Sequence, residues 1–149
     1  MSERNPFDIA NECIAFGVRR VSRLVNNHFD RHLAPVGMRS TQFTILNALL
    51  ALDVVTINEL AEQLQTDRTT LTRNLKLLED RGWVNKETGE DRRAREVSLT
   101  ANGKRAVKRA TKAWAEAQGS LYRRLGRSNY RKLMAELSRV EEAMDGLEA

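Results

Sequence analysis

The chain has 149 residues, which is the usual length of one compact domain. It contains 25 Lys and Arg and 20 Asp and Glu, and the resulting formal net charge of +5 favours polyanionic partners such as nucleic acid. No apolar run reaches the roughly 18 residues of a membrane-spanning helix, and the first residues lack the apolar segment of a secretory signal. A single cysteine excludes an intrachain disulfide framework. We therefore expect a cytoplasmic protein with no membrane segment, and one that is mainly helical because Leu, Ala, Arg and Glu are frequent and only two prolines occur.

The first predicted element is a long helix from Asp8 to about His32. Its apolar positions recur every three or four residues: Ile14, Val18, Val21, Val25 and Phe29. Further apolar residues widen the stripe in its first half, so we expect that half to be covered on more than one side. The LAPVGM segment ends this helix, and Ser40 or Thr41 is predicted to cap a second helix that runs to about Leu52.

Two short helices are predicted next. The TINE motif matches a capping box, with Thr56 at the N-cap and Glu59 three residues later, and the helix should end near Gln65. Asp67 can then cap a fourth helix, which Gly82 ends. The buried side of this fourth helix follows the spacing i, i+4, i+7: Leu71, Leu75 and Leu78.

The C-terminal half is predicted to contain a hairpin and two long helices. WVNKE and AREVSL read as short strands joined by a polar turn at Gly89. A fifth helix begins after Thr100, and a sixth, from Ser128, carries a heptad-like apolar seam. A small hairpin and the central helices cannot cover the apolar faces of the first, fifth and sixth helices. We therefore expect a second copy of the chain to cover them in a two-fold symmetric homodimer.

The fourth helix has a polar and basic side opposite its leucines. Threonine can contact a base edge, arginine can donate two hydrogen bonds to guanine, and lysine can neutralise a phosphate. Two short helices separated by the QTD turn and followed by a hairpin are typical of a winged helix-turn-helix. We predict that this helix contacts DNA through six residues: Arg68, Thr69, Thr70, Thr72, Arg73 and Lys76. A solvated basic face is the alternative for the helix taken alone.

The tip of the hairpin carries a second basic cluster, formed by Arg92, Arg93 and Arg95 with Asp91 beside them. An arginine-rich tip next to a basic helix can follow the adjacent minor groove, whose negative potential attracts arginine. We expect Asp91 to pair with Arg93 or Arg95 and hold it in place. A turn that only increases solubility is the alternative.

Together, NELAEQLQTDRTTLTRNLKLLEDRGWV and DRRAREVSLTANG resemble the MarR family of bacterial transcription regulators. The resemblance covers nearly the whole chain, and the wing signature of the family is met by Asp91, Arg92 and Arg93 and by the Leu99-Thr100 pair. It implies one mainly α domain, in which a winged-helix DNA-binding lobe at 40–100, with a two- to three-stranded β wing, is flanked by dimerisation helices at 8–34 and 101–147.

The same resemblance implies a function. The helix after Asp67 would bind the major groove of double-stranded DNA at a pseudo-palindromic operator, and Arg93 would enter the minor groove. A pocket between the two regions would take a small-molecule effector, and the regulator would most often be a repressor that the effector releases. For that pocket the candidates are, by position only, Arg20, Arg23 and His28.

Three alternatives remain open from the residues. Cys13 resembles the sensing cysteine of the organic-hydroperoxide branch of the family, although Tyr122 and Tyr130 lie outside the first two helices, and it can equally be an inert apolar residue. His28 and His32 have a spacing that can ligate zinc or interact with the end of a helix dipole, and no further ligand completes a metal site. A winged-helix adaptor that binds protein is the third. We expect no cofactor and no enzyme activity, since the sequence contains no set of nucleophile, base and orienting residue.

Overall fold

The computed structural model describes residues 12–89, 95–145 and 147. Six α-helices, one 3₁₀ helix (Ala34–Val36) and three strands are defined in this part of the chain. The helices are α1 (Ile14–Leu33), α2 (Ser40–Leu52), α3 (Ile57–Gln63), α4 (Arg68–Asp80), α5 (Ala101–Leu125) and α6 (Arg127–Asp145). The strands are β1 (Val54–Thr56), β2 (Val84–Thr88) and β3 (Arg95–Leu99). The predicted fold class, a mainly α winged helix-turn-helix with a small sheet, is confirmed.

The chain groups into two compact units, Met1–Trp114 and Ala115–Ala149, and the boundary falls within α5. The first unit holds the helix-turn-helix and the sheet, and the second holds the end of α5 and all of α6. The predicted assignment of 8–34 and 101–147 to dimerisation and of 40–100 to DNA binding stays a prediction.

Glu12 is helical and α1 begins at Ile14, but Cys13 between them is not helical, so the prediction of one continuous helix from Asp8 to His32 is wrong at Cys13. Cys13 has an extended backbone (φ −76°, ψ 111°), and its carbonyl accepts the amide N–H of Gly17 at 3.1 Å. The spacing of apolar residues in the sequence is the same whether or not one residue departs from helical dihedral angles. An apolar repeat therefore cannot reveal such a break. Residues 1–11 lie outside the described part of the chain.

The start of α2 also differs from the prediction, because Arg39 rather than Ser40 or Thr41 is the N-cap. The Oε1 of Gln42 accepts the backbone N–H of Arg39 at 3.0 Å, and Oδ1 of Asp30 accepts that of Ser40 at 2.6 Å. The carboxylate of Asp30, on the preceding helix, therefore accepts a backbone N–H at the start of α2. The local sequence had suggested a hydroxyl cap at this helix start.

The caps of α3 and α4 are formed as predicted. The hydroxyl of Thr56 accepts the N–H of Glu59 at 3.2 Å, and Glu59 in return accepts the N–H of Thr56 at 3.0 Å. Oδ1 of Asp67 accepts the N–H of Thr70 at 2.8 Å. These hydrogen bonds favour the ionised carboxylates and lower the pKa of both Glu59 and Asp67. Both short helices thus begin where the sequence places them.

The sheet is antiparallel with the strand order β1-β3-β2. Val84 lies opposite Leu99 and Val54 lies opposite Ser98, so β3 pairs with a neighbour on each side. The sequence predicted β2 and β3 as individual strands. Strand β1 follows α2 directly through Asp53, whose backbone angles are φ 63° and ψ −81°. This immediate turn from helix to strand covers one edge of β3.

The core of the first unit is formed by apolar side chains from α1 to α5 and from the sheet. Its largest fully buried residues are Leu33, Leu46, Leu49, Leu60, Leu71, Leu75, Leu78, Val84, Val97 and Val107. Burial of a leucine of this kind contributes roughly 1.5–3 kcal/mol. The helix-turn-helix and the wing are therefore held together by one continuous apolar core.

Candidate nucleic-acid interface

Helix α4 separates an apolar side from a polar one. Leu71, Leu75 and Leu78 are 1%, 0% and 0% exposed, as their spacing predicts. The six residues predicted to contact DNA are all exposed: Arg68, Thr69, Thr70, Thr72, Arg73 and Lys76. The buried leucines fix the rotation of the helix about its axis, so the polar side is presented to solvent on a rigid element.

Both ends of α4 are fixed by specific side-chain contacts. Asp67 caps the first turn, while the guanidinium of Arg81 donates a hydrogen bond to the carbonyl of Gly37 and lies 4.9 Å from the ring centroid of Trp83. A guanidinium over an indole face is a favourable cation–π arrangement. Nothing in the sequence pattern singled out the side chain of Arg81, because its partners are 44 residues earlier and just before the following strand.

One of the predicted DNA contacts already has a partner. The Nζ of Lys76 lies 2.6 Å from Oδ1 of Asp80, one turn further along α4, and this carboxylate raises the pKa of Lys76. The ammonium group has further donors for a phosphate, but the Asp80 carboxylate offsets part of its charge. Arg68 and Arg73 form no salt bridge with a described carboxylate.

Most of the predicted wing cluster cannot be placed, because Asp91, Arg92 and Arg93 lie outside the described residues, as does any pairing of Asp91. Arg95 is exposed at the start of β3, opposite Thr88. The base of the wing is tied to α4 by Lys86, whose Nζ lies 3.1 Å from Oε2 of Glu79. The wing therefore begins from a strand that is anchored on α4.

The junction between the wing and α5 is closely packed. The hydroxyl of Thr100 donates to the carbonyl of Gly82 at 2.7 Å and accepts the N–H of Gly103 at 2.9 Å. A Cβ on Gly103 would lie 2.0 Å from the carbonyl oxygen of Trp83, so only glycine fits there. Thr100 starts α5, as predicted, and also fixes the return of the wing.

The residues proposed by position for an effector pocket all lie on α1, and none of them lines the cavity found beside that helix. Arg20 and Arg23 are exposed on α1, and His28 is half-buried beside Phe29 and His32. A cavity of about 200 Å³ instead lies between α1, α2 and α5, where Trp114 stacks on Phe43 with centroids 6.1 Å apart. It is lined by Val25, Asn26, Phe29, Leu33, Ser40, Phe43, Thr44 and Trp114.

The two candidate sensor sites differ in what surrounds them. The Nδ1 of His32 lies 2.9 Å from the carbonyl oxygen of His28, and no cluster of three or more potential metal ligands occurs among the described residues. Cys13 is a free cysteine and is exposed in the single chain. Within the described ranges, no helix is long and apolar enough to cross a membrane.

The chain resembles several regulators. A family model described as the MarR family matches residues 36–94. YwoH, an HTH-type transcriptional regulator from Bacillus subtilis (strain 168), is 32% identical over 90 residues, which cover 60% of this chain and 66% of YwoH. The multiple antibiotic resistance protein MarR of Escherichia coli (strain K12) is 34% identical over 101 residues, which cover 64% of this chain and 69% of MarR. The chain thus spans just under two thirds of the length of YwoH.

A solved structure extends the match over most of the chain. The M. tuberculosis transcriptional regulator MosR, in complex with DNA, has a TM-score of 0.77 and 34% sequence identity, and the match covers 89% of this chain and 98% of MosR. These likenesses agree with the motifs of α4 and the wing, and they identify a regulator rather than an enzyme. The chain belongs to the MarR family of transcriptional regulators.

Proposed function

We propose that this chain is a cytoplasmic DNA-binding transcription regulator that acts as a homodimer on a pseudo-palindromic operator and represses transcription until a small molecule releases it. The observation that carries the proposal is the exposed threonine and arginine side of α4, held outward by the fully buried leucines of the same helix. MosR, which shares the fold over nearly its whole length, has been solved bound to DNA.

Exposed apolar residues support the homodimer. On α1, Ile14, Val18, Val21 and Leu24 are each more than half exposed. On α6, Leu133, Leu137, Val140 and Met144 are between 41% and 52% exposed. Contiguous apolar surface of this kind marks an interaction site. A second copy that buries both faces would give a dimer with two copies of α4. The two DNA half-sites that they bind should be centred one helical turn, roughly 10 bp, apart.

The cavity between α1, α2 and α5 supports control by a small molecule. Apolar and aromatic side chains dominate its lining, and a few polar groups can orient a ligand, as in most small-molecule sites. Among the polar groups, the hydroxyl of Ser40 is buried and forms no hydrogen bond with the described residues. A ligand that bonds to Ser40 would act on the first turn of α2, next to the contact between Gly37 and Arg81.

Fluorescence anisotropy with the DNA upstream of the gene tests DNA binding. If about 6 to 10 phosphates are contacted, affinity should fall on the order of a thousandfold or more between 50 and 200 mM salt. Arg93→Ala should weaken binding to most sequences, whereas Arg73→Ala should also relax the base preference across a panel of operator variants. A complex that is insensitive to salt, or equal specificity profiles for the two variants, would contradict the assignment.

Two other functions give different outcomes in the same assay. Because Cys13 is exposed, a peroxide could reach it, and a redox sensor requires that Cys13→Ser abolish peroxide-induced release of DNA. An adaptor that binds only protein should form no complex with DNA that survives non-specific competitor. Release of the Cys13→Ser variant by peroxide would remove this thiol from the mechanism.

A further inference from the structure

A second cationic surface borders α4 on the side that faces the start of α2. It is a cleft of about 420 Å³ lined by six residues: Arg39, Thr41, Gln42, Asn74, Leu77 and Arg81. Two of these side chains are cationic and none is acidic. No salt bridge joins Arg39 or Arg81 to a carboxylate of a described residue. The cleft therefore carries positive charge that the described chain does not neutralise.

An acid of the neighbouring cleft is engaged at the start of α2. A neighbouring cleft shares Arg39, Gln42 and Arg81 and also includes Asp30 in its lining. Oδ1 of Asp30 accepts the first N–H of α2, that of Ser40, at 2.6 Å. Since this oxygen is held by the helix start and no salt bridge joins Asp30 to Arg39 or Arg81, both arginines keep donors for another anion.

The polar groups of the cleft are held in position before any ligand binds. The contact of Arg81 with the Gly37 carbonyl uses only part of the five donors of a guanidinium, and the ring of Trp83 supports its face. Gln42 is only 6% exposed and accepts the Arg39 N–H through Oε1. Its side chain also lines the wall of the cleft, where the amide can supply a neutral donor.

We propose that this cleft binds a phosphate of the DNA backbone beside the major groove that α4 enters, with Arg39 and Arg81 as the cationic contacts and Gln42 as a neutral donor. This inference rests on the proposed function. Asn74 and Leu77 belong to α4 itself and lie one turn after Thr70 and Arg73 of its DNA-facing side, so the cleft adjoins that side. Phosphate contacts of this type fix the register of a DNA-reading helix without reading sequence.

The polar and cationic lining of the cleft favours a backbone phosphate over a small-molecule effector. Small-molecule sites usually enclose most of their ligand and are lined mainly by apolar groups. The lining of this cleft is instead mainly polar, with two guanidinium groups, two amides and a hydroxyl. The positive end of the α2 dipole adds to the attraction for a phosphate.

Salt-dependent anisotropy on the full-length protein tests the proposal. Arg39→Ala should weaken binding to operator and to non-specific DNA by the same factor, roughly three- to tenfold. It should also reduce the slope of log K against log salt concentration by about one for each phosphate that the variant no longer binds. Arg39→Lys should restore most of the affinity, since a phosphate accepts either cation. Arg109→Ala, a charge-matched change on the exposed side of α5, should alter neither quantity.

Replacing single DNA phosphates by neutral methylphosphonates identifies the phosphate that the cleft binds. In a duplex selected by the wild-type protein, methylphosphonates are introduced one position at a time along the flanks of each half-site. At one position the wild type should lose affinity while Arg39→Ala loses nothing further, because the substitution has already removed the same interaction. Independent losses at every position would overturn the proposal.

The remaining outcomes separate this proposal from the function on which it rests. If the wild type binds no DNA, the proposed function fails. If the wild type binds with normal salt dependence and Arg39→Ala matches it in affinity and slope, only the cleft assignment fails. If Arg39→Ala binds DNA normally but no longer responds to inorganic phosphate or benzoate that releases the wild type, the cleft is a small-anion site and the proposal is overturned.

Discussion

Helices α4 and α6 carry the same kind of apolar repeat, yet the chain buries one and leaves the other exposed. On α4 the stripe of Leu71, Leu75 and Leu78 is at most 1% exposed. On α6, Leu137 is 46% exposed and Met144 is 52% exposed. Apolar spacing therefore predicts that a helix has a face to bury, but it does not say whether the same chain covers that face.

The difference assigns separate tasks to the two helices. The face of α4 is covered by α2, α3 and the sheet, so its orientation depends on packing within one chain. The face of α6 is available to another molecule, and we propose that this is a second copy. Stability of α4 and assembly of the regulator should accordingly respond to different substitutions.

The largest expected effect compares equivalent leucines in the two helices. Leu75→Ala removes a fully buried side chain and should lower the free energy of unfolding by about 2–5 kcal/mol, because it leaves a cavity in the core. Leu137→Ala should have little effect on a dilute monomer and should weaken dimerisation by about tenfold or more, which corresponds to roughly 1.4 kcal/mol. Urea unfolding and sedimentation equilibrium measure the two quantities. Equal effects of both variants on monomer unfolding would remove the contrast.

A second pair of substitutions compares backbone packing in the two units. Gly103→Ala would place a Cβ 2.0 Å from the carbonyl oxygen of Trp83, and the backbone shift should destabilise the protein by about 1–3 kcal/mol or more. At Gly119 the nearest atom to such a Cβ is the flexible end of Arg123, at 3.2 Å. Gly119→Ala should therefore be neutral or stabilise the protein by up to about 1 kcal/mol.

Thermal unfolding of both glycine variants provides the measurement. A tolerated Gly103→Ala would show that the start of α5 does not lie as close to Trp83 as described. A strongly destabilising Gly119→Ala would show instead that a further surface covers α5 at that point.

The smallest effect concerns the cap that fixes the start of α4. The hydrogen bonds from Thr70 hold the pKa of Asp67 below its ordinary value of 3.8. The contribution of the ionised cap is therefore present above the pKa of the unfolded chain and is lost as pH falls through the lower pKa of the folded state. Asp67→Asn keeps a capping side chain but removes the titration.

The melting temperatures of the wild type and Asp67→Asn, followed from pH 6 to below the ordinary pKa of aspartate, check this expectation. The wild type should lose stability relative to the variant as Asp67 becomes protonated. A constant difference across this range would show that the cap does not depend on the charge. Because the group is exposed, the effect should be small and reduced by salt.

Much of the fold could be predicted, because the signals that define it are local. The capping box of Thr56 and Glu59 and the N-cap of Asp67 depend on side chains and amides three residues apart, which any reader of the sequence can see. The N-cap of α2 could not be found in this way, because the donor of Ser40 is satisfied by Asp30, ten residues earlier. Likewise, the extended backbone of Cys13 leaves the apolar spacing unchanged.

The same distinction between local and long-range signals applies to the candidate site. The exposed residues of α4 follow from helical periodicity, since burial of Leu71, Leu75 and Leu78 turns the opposite side outward. The effector candidates on α1 rested on position alone, and the cavity between α1, α2 and α5 is lined by other residues. Arg39 and Arg81 line one cleft although they are far apart in sequence, so their common role appears only after the chain folds.

The sequence by itself determined the order of the helices, the starts of α3 and α4, the two strands of the hairpin and the basic character of α4. Each of these depends on neighbours within about one helical turn or one strand. The tertiary structure decided the edge strand β1, the close approach of Gly103 to Trp83 and the cationic cleft between α2 and α4. These features depend on which distant segments pack together, and that choice is made by burial of the whole apolar core rather than by any local pattern.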